Sequence, residues 1–244
     1  MALRKEGYWD NHYREELENY VQNGDEGEIW FGIRLTRRIV DWLLLRIKDQ
    51  EDFALLDIGC GNAALLCMLV ERMREEALPQ SEGHIKLVGV DYSKESIALA
   101  KRVVDDRNLL DKITLHQADI LNPSCAGYLR IRYQYLVDKG TLDAICLLNS
   151  DTAEKLLQTK ISYLESIYSL AEEGSVFLLA SCNNTEDELL SLFDIRCRYQ
   201  RHAKLIDKIE TPKITYGGKE GSQVSCIIIK FGSEVAQSGP SKSF

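Results

Sequence analysis

This 244-residue chain predicts an α/β fold, a mostly parallel sheet with helices on both faces. Two observations carry that expectation. Apolar runs of strand length alternate with stretches whose apolar residues recur at helical spacing, the mark of strand–helix–strand units. One such run, 53–58, ends in Gly59-Cys60-Gly61 and gives way at once to a helical stretch, so a buried strand turns sharply into a helix there. Hydrophobic residues at 45% and charged residues at 28% are ordinary globular values, which excludes a disordered or fibrous chain.

The elements follow in order. Residues 53–58 form the first strand and 63–77 the helix after it. A second strand over 85–90 leads to a helix over 93–106, with Ser93 as its N-cap and Ser96 at its third position. Residues 112–116 are a third strand; 133–137 are extended, and 142–148 continue that strand beyond an irregularity at Gly140. A helix over 153–170, a fifth strand over 175–181 and a helix over 185–193 come next. Two last strands, about 203–209 and 224–231, are joined through the glycine-rich turn Tyr216-Gly217-Gly218 as an antiparallel pair.

Residues 1–49 differ from this 50–231 domain. An acidic segment holds Glu15, Glu16, Glu18, Asp25, Glu26 and Glu28, and Trp30-Phe31-Gly32 then leads into an amphipathic helix carrying Ile39, Val40, Leu43, Leu44 and Ile47, which packs on the domain. The acidic run reads either as a solvated helix face or as a docking surface for something basic. The tail, 232–244, is expected to be disordered.

Charge and cysteine usage bound the function. A formal net charge of −8 gives a nucleic-acid backbone nothing to be attracted to, so no direct nucleic-acid partner is expected and a basic protein is the natural one. Seven scattered cysteines with no C-x-x-C pair read as reduced thiols of a cytoplasmic protein, with the nucleus as a second compartment, and not as a disulfide framework or a zinc site. The start carries no cleavage signal and no apolar run approaches the ~20 residues that cross a bilayer, so no membrane partner is expected.

The glycine turn is the first functional signal. In Leu55-Leu56-Asp57-Ile58-Gly59-Cys60-Gly61-Asn62-Ala63, two glycines let the backbone take positive φ and let a ligand approach the main chain. Alone, the pattern also fits a nicotinamide dinucleotide site. Asp57 separates the two: a carboxylate at the strand end repels a pyrophosphate and suits a cationic ligand. S-adenosylmethionine, with its α-amino group and sulfonium and no phosphate, meets that requirement. A second acid ends the next strand, Asp91 in Val90-Asp91-Tyr92-Ser93, placed to accept ribose hydroxyls. It stands 30 positions after Gly61, longer than the usual ~20, and the charged insert 72–84 accounts for the excess. A third, Asp119 in Ala118-Asp119-Ile120, can accept from an adenine amino group. Ligands of open α/β sheets bind at the carboxyl ends of the strands, so all three acids are expected at one crevice.

At this point the chain resembles the seven-β-strand S-adenosylmethionine-dependent methyltransferases. Asp138-Lys139-Gly140-Thr141-Leu142-Asp143-Ala144 is similar to the D-K-G-T-x-D-A segment of a subgroup of protein-lysine methyltransferases. Three stretches outside the core strengthen the likeness to members that act on translation elongation factor 1-alpha: Tyr8-Trp9-Asp10 with Gly27-Glu28-Ile29-Trp30-Phe31-Gly32, Ser181-Cys182-Asn183 with Thr185 and Glu188-Leu189-Leu190, and Thr211-Pro212-Lys213 with Tyr216-Gly217-Gly218. The resemblance implies a Rossmann-like seven-stranded sheet, five parallel strands plus an antiparallel C-terminal hairpin. It implies S-adenosylmethionine as cofactor, S-adenosylhomocysteine as product and elongation factor 1-alpha as protein substrate. One departure is Ala63, where the family's motif usually has a third glycine; its methyl group either crowds the cofactor or tightens the helix packing.

The cofactor-binding set expected from these readings is Trp30, Asp57, Gly59, Gly61, Asp91, Tyr92, Asp119, Ile120 and Asp138, with no metal. Asp138 doubles as the candidate catalytic residue, orienting the target amine or holding the methionine end of the cofactor; its alternatives are pairing with Lys139 or capping the following turn. Lys139 reads as a structural ion-pair partner and His116 as structural. Trp30 and Phe31 are candidates to close over the cofactor, and Asn183 and Asn184 to line the substrate mouth. Two competing functions remain, a methyltransferase of small molecules and a non-catalytic module that keeps the cofactor fold; the D-K-G-T segment weighs against the first and the intact strand-end acids against the second.

Overall fold

The computed structural model describes residues 7–78, 84–122, 131–211, 213–216 and 219–234. Two helices, α1 (Tyr8–Asn23) and α2 (Gly32–Ile47), precede β1 (Phe53–Ile58), α3 (Ala64–Glu75), β2 (Ile85–Asp91), α4 (Lys94–Asp106) and β3 (Ile113–Gln117). The chain continues through β4 (Tyr133–Lys139), α5 (Thr141–Leu148), α6 (Ala153–Leu170), β5 (Ala171–Ser181) and α7 (Glu186–Leu192). It closes with β6 (Arg201–Lys208), β7 (Lys213–Tyr216), β8 (Lys219–Ser222) and β9 (Ser225–Glu234).

Seven strands make one sheet in the order β3-β2-β1-β4-β5-β9-β6. The first five in that order pair in parallel, while β9 runs antiparallel to both β5 and β6. The strand order reverses between β1 and β4, and a switch point of this kind opens a crevice at the carboxyl ends. β7 and β8 form a separate two-stranded ribbon between β6 and β9. The turn at Gly217-Gly218, the insert residues 79–83, Cys125 and the tail from 235 lie outside the described residues.

Strand alternation distributes the core. All six β1 residues are buried, as expected for a central parallel strand covered on both faces. Phe53 and Leu55 join Ile39, Leu43 and Ile47 of α2, Leu66 and Val70 of α3, and Ala100 and Val104 of α4 on one face. Ala54, Leu56 and Ile58 pack on the other face with Tyr163, Leu164 and Ile167 of α6 and Leu189 of α7. The helices keep their caps: the Ser93 hydroxyl accepts from Ser96 N–H, and Thr185 with Glu188 forms a reciprocal capping box on α7.

One element departs from the sequence expectation. Residues 142–148 do not continue β4 but lie in α5. Short apolar runs cannot be told apart by periodicity, and the decision here is local. Gly140 at φ 97 breaks the strand, and the Asp138 carboxylate accepts from the first two α5 amides, Thr141 N (2.7 Å) and Leu142 N (3.0 Å), whose N–H groups have no intrahelical partner.

Candidate active site

Twenty residues from the carboxyl ends of β1, β2 and β4, the loop after β3, the start of α5 and the N-terminal segment line an open cavity. Of the residues singled out from sequence, Trp30, Gly59, Gly61, Asp91, Tyr92, Asp119 and Ile120 line it. Asp57 and Asp138 do not.

The floor is the glycine turn. Gly59 and Gly61 have φ of 67° and 56°, and Ala63, the N-cap of α3, takes φ 61° with its methyl buried. The third motif position therefore calls for the left-handed region that glycine enters freely, and alanine bears the strain there. A Cβ at Gly59 would lie 1.9 Å from Thr141 Oγ1, and one at Gly61 2.7 Å from Tyr13 Oη. Asp91 braces the turn from the next strand: its oxygens accept from Gly61 N (3.1 Å) and Ser93 N (3.0 Å), and Ser96 Oγ donates to Gly61 O. Burial pushes the Asp91 carboxyl above its ordinary range while these donors hold it down. Each oxygen still has a lone pair for a hydroxyl donor.

The two acids that miss the cavity each stand one residue short of a strand end, and Ile58 and Lys139, the last residues of β1 and β4, line it in their place. Asp57 shares the phase of Phe53 and Leu55 and Lys139 that of Tyr135 and Val137, so both lie on the α2–α4 side of adjacent strands. The Asp57 carboxyl, pushed up to about 7 by burial, is held down chiefly by Lys139. Lys139 lines the cavity, burial lowers its pKa, and its Nζ donates to Trp30 O at 2.8 Å. Lys139 is thus the cation of this chain that acts most strongly on Asp57.

Asp138 takes the opposite phase, with Leu136, toward α6. Fully buried, it accepts from Thr141 N, Leu142 N and Tyr163 Oη (2.5 Å), so it caps α5 and does not line the cavity. Asp143 is equally structural, accepting from Ser181 Oγ (2.5 Å) and Cys182 N (2.7 Å). Asn183 and Asn184 do not line the cavity; Asn184 Nδ2 bonds Ser181 Oγ and Asp143 Oδ1. In the D-K-G-T-x-D segment, then, both acids fix backbone. Lys139 and Thr141 face the site, Thr141 Oγ1 donating to Ile58 O at 2.7 Å. Gly140 leaves room for Trp30, whose ring lies 2.7 Å from where a Cβ would sit.

Burial pushes the Asp138 carboxyl up to about 7, against an ordinary value of 3.8. The native state then holds this proton more tightly than the unfolded chain. Its contribution to stability is complete below about pH 4 and is lost as pH rises through about 7. Asp138→Asn is expected to trail the native protein by a wider margin in urea unfolding at pH 5 than at pH 8. A margin that widens toward pH 8 would contradict the burial argument.

The roof was not legible in the sequence. Trp9, Tyr13 and Glu28 line the cavity, contributed by α1 and the loop after it. Trp9 meets Trp30 edge to face, with ring centroids 5.2 Å apart, and leans on Tyr13. The segment is pinned at several points. Glu16 Oε1 accepts from Glu28 N (2.6 Å), Asn62 Nδ2 donates to Glu26 O (2.8 Å), and Arg107 pairs with Glu26 and Glu71. Glu16, part of the acidic run, is buried, and burial raises its pKa. The i, i+4 spacing of Trp9 and Tyr13 was the available signal, but nothing local says which surface that helix face covers. Phe31 sits behind Trp30 as the N-cap of α2 at φ 61° and does not line the cavity.

S-adenosylmethionine fits this set. The acids Asp91 and Asp119 stand at the β2–β3 end and Lys139 at the β4 end, and the wall between them includes Ile58, Val90 and Ile145. A nucleoside with hydroxyl and amino donors matches the acidic end, and an amino acid carboxylate matches the other. Among the described residues no cluster of His, Cys, Asp and Glu could hold a metal ion, and no helix is long and apolar enough to cross a membrane.

Comparison with known proteins agrees with this geometry. A family profile described as a methyltransferase domain matches residues 49–227. The chain is 33% identical over 228 residues to protein-lysine N-methyltransferase efm4 of Schizosaccharomyces pombe, covering 90% of each. It is also 33% identical over 231 residues to EEF1A lysine methyltransferase 2 of Mus musculus, covering 94% of this chain and 84% of that one. Among solved structures, a putative class I S-adenosylmethionine-dependent methyltransferase from Listeria monocytogenes superposes with a TM-score of 0.58 at 14% identity, covering 96% of this chain and 71% of that one.

Proposed function

The chain belongs to the methyltransferase-domain family and, within it, to the protein-lysine methyltransferases, and from that premise we propose that its substrate is a lysine of translation elongation factor 1-alpha. It is an S-adenosylmethionine-dependent enzyme acting on a protein. The observation that carries the substrate is the likeness to EEF1A lysine methyltransferase 2 over 94% of this chain. A net charge of −8 suits a basic protein and disfavours a nucleic acid. We place the enzyme in the cytoplasm, a location supported by six free cysteines among the described residues.

When bound, the cofactor supplies an electrophilic methyl group on its sulfonium. This chain must hold it, exclude water and align the amine. We assign Asp91 to the ribose, Asp119, Ile120 and Tyr92 to the adenine, and Gly59 and Gly61 to close approach of the backbone. A lysine with its reference pKa of about 10.4 lies roughly 4–5 kcal/mol from neutrality at pH 7. Glu28, exposed and lining the cavity, is placed to guide the ammonium inward. The wall of Trp30, Ala144 and Ile145 then desolvates the amine, which lowers its pKa and releases the proton to water. With Asp138 committed to α5, alignment falls to this wall, and orientation alone supplies several kcal/mol.

Incubated with labelled S-adenosylmethionine and a methylation-deficient cell extract, the enzyme is expected to label one dominant protein band that co-migrates with elongation factor 1-alpha. Label on low-mass metabolites would instead identify a small-molecule methyltransferase, and no label at all a non-catalytic module.

A further inference from the structure

α5 is more apolar than its burial requires. Ala144, Ile145, Cys146, Leu147 and Leu148 are all half-buried, and the fully buried positions of the helix are Leu142 and the structural Asp143. Ile145 and Cys146 pack against the core on the α6 side. Among the described residues Leu147 and Leu148 pack against neither core cluster. Apolar surface left over beside an active site marks a place where something docks.

Helical period decides which leucine faces the reaction. Successive side chains on a helix are about 100° apart, so Thr141, Ala144, Ile145 and Leu148 share one face and Leu147 is turned away from it. The first three of these line the cavity. Thr141 stands at the floor, bonded to Ile58 O beside the glycine turn. Ile145 follows one turn later in the wall, and Leu148 stands about 4.5 Å beyond Ile145 along the axis, past the lined part of the cavity. The stripe therefore climbs from the cofactor floor to the rim. In an enzyme that acts on a protein, the rim is what the substrate backbone covers when a lysine reaches inward. Glu28 and Asp119, exposed and lining the same cavity, repel an acidic segment there.

We propose that Leu148 is a substrate-docking residue, which receives an apolar side chain one or two positions from the target lysine in the protein substrate. An extended segment advances about 3.3 Å per residue, so one to two residues span the step from Ile145 to Leu148. The inference rests on the reading of this enzyme as a protein methyltransferase and adds what selects the segment around the lysine.

Steady-state kinetics of the full-length enzyme provide the test, with elongation factor 1-alpha from methylation-deficient cells as the varied substrate and S-adenosylmethionine saturating. Leu148→Gln keeps side-chain length and helix preference and removes the apolar contact. It is expected to raise KM for the protein about 5-fold, the worth of a half-buried leucine, with kcat and the affinity for S-adenosylhomocysteine unchanged. Leu148→Ala repeats the measurement with the strongest helix former should the glutamine variant not fold. Leu147→Gln, on the other face, is expected to leave KM within about 2-fold of native. An unchanged KM for the folded Leu148 variant would overturn the inference. An equal rise for Leu147→Gln, or a loss confined to kcat or to cofactor affinity, would overturn it too. So would a product whose methylated lysine, located by mass spectrometry, has only polar residues in the two positions on either side. Native enzyme that leaves elongation factor 1-alpha unmethylated would overturn the substrate reading alone, and the same kinetics on the protein it does label then decide the inference. Methylation of low-mass compounds only would overturn both.

Discussion

Gly59→Ala is expected to destabilise the protein by about 3 kcal/mol and to disrupt the cofactor site together with the fold around it. The added methyl group meets two separate penalties. The backbone stands at φ 67°, where a Cβ costs roughly 1–2 kcal/mol. The new carbon would also lie 1.9 Å from Thr141 Oγ1, far inside contact distance. Thr141 must rotate away and give up its bond to Ile58 O, worth about 1 kcal/mol more. Urea unfolding of Gly59→Ala alone and combined with Thr141→Ala resolves the two penalties. The double variant should escape the steric overlap and keep the φ cost, so its loss should fall short of the sum of the single ones. A Gly59→Ala protein as stable as the native one would show that the turn can reshape and that the geometry described for it is not required.

Asp91→Ala is expected to weaken S-adenosylmethionine binding by at least about 100-fold. Two hydroxyl bonds to a buried carboxylate are worth about 1.5–3 kcal/mol each, and each 1.4 kcal/mol is tenfold. The structure adds a consequence that the strand-end position alone does not suggest. Asp91 also accepts from Gly61 N and Ser93 N, so the alanine variant leaves two amides without their acceptor and lowers the melting temperature. Asp91→Asn keeps an acceptor for one of them and should lie between alanine and native in both properties. Calorimetry on variants whose circular dichroism matches the native protein is the measurement. A folded alanine variant with native affinity would remove Asp91 from the ribose assignment.

Much of the site was legible in the chain itself. Gly59 and Gly61 marked the strand-to-helix turn, because positive φ and close approach demand a residue without Cβ, and both take positive φ there. Asp91, Asp119, Tyr92 and Ile120 follow or end strands of a parallel sheet, where side chains reach the crevice by topology, and all line the cavity. Asp57 and Asp138 stand one residue short of their strand ends and miss it, while Ile58 and Lys139 after them line it. Adjacent residues on a strand point to opposite faces, so the two acids enter different helix layers, Asp57 with Leu55 and Asp138 with Leu136. Which phase each strand takes depends on how Leu55 and Leu136 partition between the two helix layers, a tertiary matter.

The split between chain and fold has a simple physical basis. Periodicity, glycine and cap residues act over a few positions, so the α/β class, the turn and the Ser93 and Thr185 caps were determined by local sequence. The helical state of 142–148 and the placement of Trp9, Tyr13 and Glu28 over a cavity formed more than 30 residues later were decided only by tertiary structure. The first hung on the Asp138 carboxylate reaching free amides across a glycine break. The second hung on contacts such as Lys139 Nζ with Trp30 O and Arg107 with Glu26, whose partners lie 109 and 81 positions apart. Long-range contacts of that kind leave no period in the sequence, because their energy depends on the distance in space that the folded sheet creates.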